Sequence, residues 1–243
     1  MSGVAPSFQI FVRFLCFFSI VAALGGCADD DELVIVPPDP PATDTMTTLY
    51  YLALGDSYTI GESVDPEQRF PVIYADRRSN ADTAVVTTII ARTGWTTDEL
   101  SAGIDAREDE LRDTYDLVSL LIGVNNQFRG RSLPNYREEF ERLLQRAITF
   151  ADGNPARVFV VSIPDYGVTP FGQASGDPAR IAEELDAFNA AARSITEDYD
   201  VRFLDITPIS REAADDPSLI ANDNLHPSGE QYRRWVDEVL LPE

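Results

Sequence analysis

The sequence predicts an α/β domain, a three-layer α/β/α sandwich around a five-stranded, mainly parallel sheet. Two observations point there. Five short apolar runs of strand length alternate with stretches whose apolar residues recur at helical spacing, and that alternation implies a parallel sheet covered on both faces. The chain has 243 residues, 44% of them apolar, which leaves room for one sizeable α/β core after a leader is removed.

The strands are expected, in order, at Leu49 to Leu54, Ala84 to Ala91, Leu117 to Ile122, Arg157 to Ile163 and Val201 to Leu204. Two helical stripes lie between the later ones. Tyr136, Phe140, Leu143, Leu144, Ala147 and Ile148 form the first, and Ile181, Leu185, Phe188, Ala192 and Ile195 the second. Both read as core. Thr96-x-x-Glu99 and Ser228-x-x-Gln231 have capping-box spacing and are expected to open two further helices. In such a sheet, ligands bind beyond the carboxyl ends of the strands, so functional residues are expected just after strands.

The domain, residues 48–243, follows a leader and a tether. Residues 8 to 24 read as a signal peptide, with Arg13 ahead of the run Phe14-Leu15-Cys16-Phe17-Phe18, too short for a comfortable membrane span. The run closes on Leu24-Gly25-Gly26-Cys27, which resembles the lipobox of bacterial lipoproteins and implies a lipid anchor on Cys27 after removal of residues 1–26. An ordinary secretory leader is the alternative. Residues 27–47 form a tether with the acidic run Asp29-Asp30-Asp31-Glu32 and a proline-rich spacer from Pro37. The expected location is the cell envelope, at the outer membrane or cell surface. The mature chain keeps Cys27 alone and forms no internal disulfide.

Composition excludes several chemistries. All 19 basic residues are arginine. Without lysine there is no Walker A loop, no pyridoxal Schiff base and no Ser–Lys dyad. His226 is the single histidine, so an H-E-x-x-H zinc site is also excluded, and no metal or cofactor is expected. Beyond Cys27 stand 18 arginines against 41 acidic residues, a net charge of −23. That field repels nucleic acid and anionic membrane surfaces. It keeps the domain soluble, and it would also suit a high-salt setting.

Several residues fall where a site is expected. Ser57 follows the first strand in Leu54-Gly55-Asp56-Ser57-Tyr58, Gly94 the second in Arg92-Thr93-Gly94-Trp95-Thr96, and Asn125 the third in Gly123-Val124-Asn125-Asn126. Asp223 and His226 follow the last strand in Asp223-Asn224-Leu225-His226-Pro227, ahead of the final helix. In this order the blocks resemble the SGNH, or GDSL, hydrolase family from about Leu49 to the C-terminus. The resemblance implies a flavodoxin-like fold and a serine ester hydrolase. It implies Ser57 as nucleophile, with Asp223 and His226 completing a triad. It implies an oxyanion hole from the N–H groups of Ser57 and Gly94 and the Asn125 amide. One departure is Asn126, where the family often has Asp.

Elementary chemistry runs in parallel. A serine hydroxyl needs a base, and imidazole suits that role near neutral pH. A carboxylate three residues away on a short loop can fix the ring's tautomer. Gly-Asp-Ser alone is common in turns, and a lone histidine is often structural. No G-x-S-x-G elbow is present, which disfavours an α/β-hydrolase proper. The segment after Asn125, Asn126 to Arg129, and the Pro/Gly-rich loop from Pro164 to Asp177 are expected to shape a pocket or to serve as connectors. Trp95 either flanks the pocket or packs the following helix. The expected substrate is a small-molecule, glycan or lipid ester. The rival readings are a glycan-binding surface lipoprotein without catalysis and an acyltransferase with the same triad.

Overall fold

A computed structural model describes residues 46–241. The expected leader, the lipobox at Cys27 and nearly all of the tether lie outside the described residues. Five parallel strands form one sheet in the order β2-β1-β3-β4-β5. They are β1 (Thr47–Gly55), β2 (Thr83–Ala91), β3 (Leu117–Leu121), β4 (Val158–Val161) and β5 (Arg202–Leu204). The expected sandwich is the observed one. Within it, Gly55 at the end of β1 pairs with Ala91 of β2 and Leu121 of β3, so three strands end level.

Nine α-helices are present among the described residues. In order these are α1 (Ser57–Ile60), α2 (Phe70–Arg78), α3 (Thr97–Asp105), α4 (Val124–Phe128), α5 (Leu133–Phe150), α6 (Pro170–Ala174), α7 (Pro178–Asp198), α8 (Thr207–Arg211) and α9 (Gly229–Trp235). The two apolar stripes of the sequence become α5 and α7. They meet where Tyr136 packs on Phe188, ring centroids 4.6 Å apart. On the opposite face, Tyr74 of α2 packs on Tyr51 of β1 and Phe159 of β4 at 5.5 and 5.4 Å, and Phe70 sits against Trp235 of α9 at 6.2 Å. Burial of such large rings supplies most of the driving force for closing the layers. Among the described residues no helix is long and apolar enough to cross a membrane.

Two expectations need correction. The Pro164–Asp177 segment is not a plain loop, because Thr169 caps the short helix α6 by accepting from the Gly172 N–H at 3.1 Å. The capping boxes also differ. Glu99 reaches back to the Thr96 N–H at 2.9 Å, as expected. Gln231 instead donates its side-chain amide to the Leu219 carbonyl at 2.9 Å, while Ser228 accepts from the Gln231 N–H. The second box is therefore half formed, because its Gln is used to anchor the chain ahead of the helix.

Candidate active site

Ser57 opens α1 immediately beyond β1. Asp56 caps that turn, its Oδ1 accepting the Tyr58 N–H at 3.0 Å. The Asp56 carboxyl is fully buried and its Oδ2 has no hydrogen-bond partner among the described residues. Burial pushes its pKa up to about 7, against the pull of the Tyr58 N–H.

Gly94 sits in a four-residue turn closed by the Trp95 N–H on the Arg92 carbonyl at 3.2 Å. Its φ of +87° places it in the region that only glycine enters freely, as the third residue of a type II turn requires. The Arg129 guanidinium grips this turn, donating to the Gly94 carbonyl at 2.6 Å and to Glu99 at 3.0 Å. Among the described residues no hydrogen bond engages the N–H of Ser57 or of Gly94.

Asn125 lies in the first turn of α4. Gly123, ahead of it, has φ +132°, and a Cβ there would come within 2.7 Å of Tyr136 and 2.8 Å of Ile163. Only glycine lets the chain turn so tightly after β3. The Asn125 Nδ2 donates to the Trp95 carbonyl at 2.9 Å, which fixes the amide and leaves one N–H for a ligand. Asn126, the departure from the family pattern, is fully buried and accepts the Thr97 N–H at 3.1 Å. Its Nδ2 donates to the Thr97 hydroxyl at 2.6 Å, and that hydroxyl donates to Glu139. An aspartate has no such donor, so the amide matches this Thr97.

Asp223 and His226 are carried differently from what the sequence suggests. They do not follow β5 directly, because α8 and two 3₁₀ turns intervene. They sit on a small loop pinched by an antiparallel bridge between Ile220 and Pro227, with the Ala221 N–H on the His226 carbonyl at 2.8 Å. Asp223 Oδ1 accepts the N–H groups of Leu225 and His226 at 3.0 and 2.9 Å. Oδ2 lies 2.5 Å from His226 Nδ1 and accepts the Ser63 hydroxyl at 2.7 Å. Partial burial pushes the carboxyl upward, but the hydrogen bonds from His226, Ser63 and Leu225 outweigh it and hold the pKa at about 2. The carboxylate is ionised at neutral pH and takes a proton donor at Nδ1, so the tautomer of the neutral ring that fits carries its proton there and leaves Nε2 as an acceptor.

Ser57, Gly94, Asn125 and His226 line one cavity of about 140 Å³. Ser57 and His226 are nearly buried, at 4% and 7% exposure. Among the described residues the hydrogen bond made by the His226 ring is the one to Asp223, and none joins it to Ser57. Phe128, Tyr166 and Phe171 complete an apolar wall, with ring centroids 6.1 to 6.4 Å apart. Phe128 and Phe171 are 58% and 41% exposed, two of the few large apolar side chains left open to solvent. Trp95 is not in the wall. Its ring lies over Gly103 of α3, where a Cβ would come within 2.1 Å. Tyr58, Thr93 and Leu225 line the cavity without having been singled out from the sequence. Their one signal is adjacency to Ser57, Gly94 and His226. Among the described residues no group of three or more His, Cys, Asp or Glu side chains converges to hold a metal.

Residues 53–234 match the model of the GDSL-like lipase/acylhydrolase family, a span that includes every candidate residue just described. The chain belongs to that family. Several solved structures share the fold at low identity. The psychrotrophic esterase EstA from Pseudoalteromonas sp. is 18% identical with a TM-score of 0.58, over 78% of this chain and 93% of that one. A member of the lipolytic G-D-S-L family from Veillonella parvula is 17% identical with a TM-score of 0.60, over 78% and 94%. The acetylxylan esterase Axe2 from Geobacillus stearothermophilus is 17% identical with a TM-score of 0.58, over 79% and 92%. Among curated proteins no sequence matches this GDSL-family chain.

Proposed function

We propose that this GDSL-family protein is a carboxylic-ester hydrolase working through an acyl-enzyme on Ser57. The observation that carries the reading is the convergence of Ser57, His226, Gly94 and Asn125 on one cavity, with Asp223 held on the far nitrogen of the imidazole.

In this mechanism His226 Nε2 takes the Ser57 proton as Oγ attacks the acyl carbon, and the carbonyl electron pair moves to oxygen. The resulting oxyanion meets the unengaged N–H groups of Ser57 and Gly94 and the remaining N–H of Asn125. Asp223 stabilises the imidazolium. The imidazolium then protonates the departing alkoxide, and water repeats the sequence to release the acid. The small cavity and its apolar wall favour short acyl esters, including those of acetylated sugars, over the long acyl chains of lysophospholipid esters.

The Leu24-Gly25-Gly26-Cys27 run supports a lipid anchor on Cys27 that holds the domain at the bacterial envelope by the tether of residues 27–47. Metabolic labelling with a palmitate analogue tests this: incorporation that survives Cys27→Ala contradicts it. The hydrolase reading is tested with p-nitrophenyl esters from acetate to decanoate. Wild type is expected to turn over the short esters and to label with a fluorophosphonate, and Ser57→Ala to do neither. Equal turnover by both proteins would overturn the assignment.

A further inference from the structure

We propose that Ser63 is a positioning residue of the triad, the second donor on the carboxylate oxygen that holds His226. The proposal rests on the hydrolase reading for its role in catalysis, but the contact itself does not.

Three observations carry it. The Ser63 hydroxyl donates to Asp223 Oδ2 at 2.7 Å across 160 positions of sequence. With the His226 ring on the same oxygen and two N–H groups on Oδ1, all four acceptor sites of the carboxylate are filled. Ser63 is held at φ +66°, one of four non-glycine residues with positive φ among the described residues. The other three are Asp152, Asp200 and Asn224, the residue types that enter this region most readily. A strained serine that the surrounding chain maintains is a pointer to function when its side chain meets a functional group. Finally, its neighbour Glu62 accepts a hydrogen bond from Thr93, beside Gly94. Residues 62 and 63 thus tie the loop after α1 both to the Gly94 turn and to the Asp223 loop.

The physical role follows from the shared oxygen. A carboxylate oxygen with two donors keeps its position and divides its charge between them. Without Ser63 that oxygen faces solvent, and the His226 Nδ1–H bond changes in strength and direction. The imidazole then presents Nε2 to Ser57 less reproducibly.

The experiment uses two variants of the untagged protein, whose single histidine makes the downfield Nδ1–H proton resonance unambiguous. Ser63→Ala removes the hydroxyl and keeps the strain, and Ser63→Gly removes both. Both variants are expected to move the Nδ1–H resonance and to lower kcat roughly tenfold with KM nearly unchanged, as loss of a hydrogen bond to a charged group should. In Ser63→Gly relief of the φ strain offsets part of the lost hydrogen bond, and a thermal melt showing the variant folded at the assay temperature separates the effect from unfolding. An unmoved resonance, or full kcat, in Ser63→Gly overturns the proposal. Ser57→Ala reports on the hydrolase reading separately: if that variant stays active, the reading fails, and the resonance still decides whether Ser63 acts on the Asp223–His226 pair.

Discussion

Asn125 gives one amide N–H to the Trp95 carbonyl at 2.9 Å, and among the described residues its other N–H has no partner where the residue lines the cavity. In the proposed mechanism the bond to Trp95 aims the free group, so its loss removes a preorganised donor and leaves the Asp223–His226 pair in place. Asn125→Ala is expected to lower kcat about 10²- to 10³-fold with little change in KM. Steady-state kinetics on p-nitrophenyl acetate check this, and an effect confined to KM would contradict it.

The neighbouring Asn126→Asp substitution is expected to act on stability instead. It restores the residue common in the family, but here it deletes the donor to Thr97 and sets a carboxylate beside a hydroxyl already committed to Glu139. A loss of about 1–3 kcal/mol is expected from an unsatisfied buried group. Urea unfolding measures it, and a variant as stable as wild type would contradict the account of Thr97.

In the proposed mechanism Asp223→Asn retains the loop but loses the charge that stabilises the imidazolium. The comparable change in a protease triad lowers kcat about 10⁴-fold, and a loss of 10³ or more is expected here. The native carboxyl, held at about 2, also contributes to stability with a definite sign. Its contribution is present above the ordinary carboxylate range near 4 and is lost as pH falls toward 2. Acid unfolding of wild type and Asp223→Asn should therefore converge at the lowest pH.

Asp56 carries the opposite sign. Its pKa is pushed up to about 7, so the folded protein binds an extra proton between about pH 4 and 7. Stability from this group is full below pH 4 and declines as pH rises through 7. Asn cannot ionise, so the stability of Asp56→Asn relative to wild type should increase from pH 5 to pH 8. Urea midpoints at four pH values test this; a constant difference would rule it out.

Gly123→Ala combines a φ of +132° with contacts closer than 3 Å to Tyr136 and Ile163. It should destabilise the fold by about 2–5 kcal/mol. A change within 0.5 kcal/mol of wild type, about the ordinary range for surface substitutions, would show that the turn can relax.

Much of this was legible in the sequence because it depends on local pattern. The run ending at Leu54 followed by Gly55-Asp56-Ser57 places a hydroxyl beyond a strand, and the same holds for Gly94 and Asn125. What was not legible depends on partners far apart in the chain. Nothing near Ser63 announces Asp223, and nothing near Gln231 announces that its amide turns to Leu219 rather than to its own helix start. Trp95 had two readings from sequence, and the space left by Gly103 decides between them. Asp223 and His226 follow the last strand and precede the final helix as the sequence indicates, but periodicity does not register α8, which lies between, or the bridge from Ile220 to Pro227. Phe128 and Phe171 lie in segments that the sequence reads either as pocket-shaping or as connectors, and α4 and α6 bring the two rings together at the cavity.

Gly55, Ala91 and Leu121 end their strands at one level. A slip of β1 by one residue would carry Ser57 about 3.3 Å along the strand, farther than a hydrogen bond tolerates, and would turn its side chains to the other face. In the proposed mechanism a mispaired sheet is therefore inert even when compact. Titration with a fluorophosphonate would count the correctly assembled molecules in a preparation, and a gap between that count and the total protein would measure misfolding.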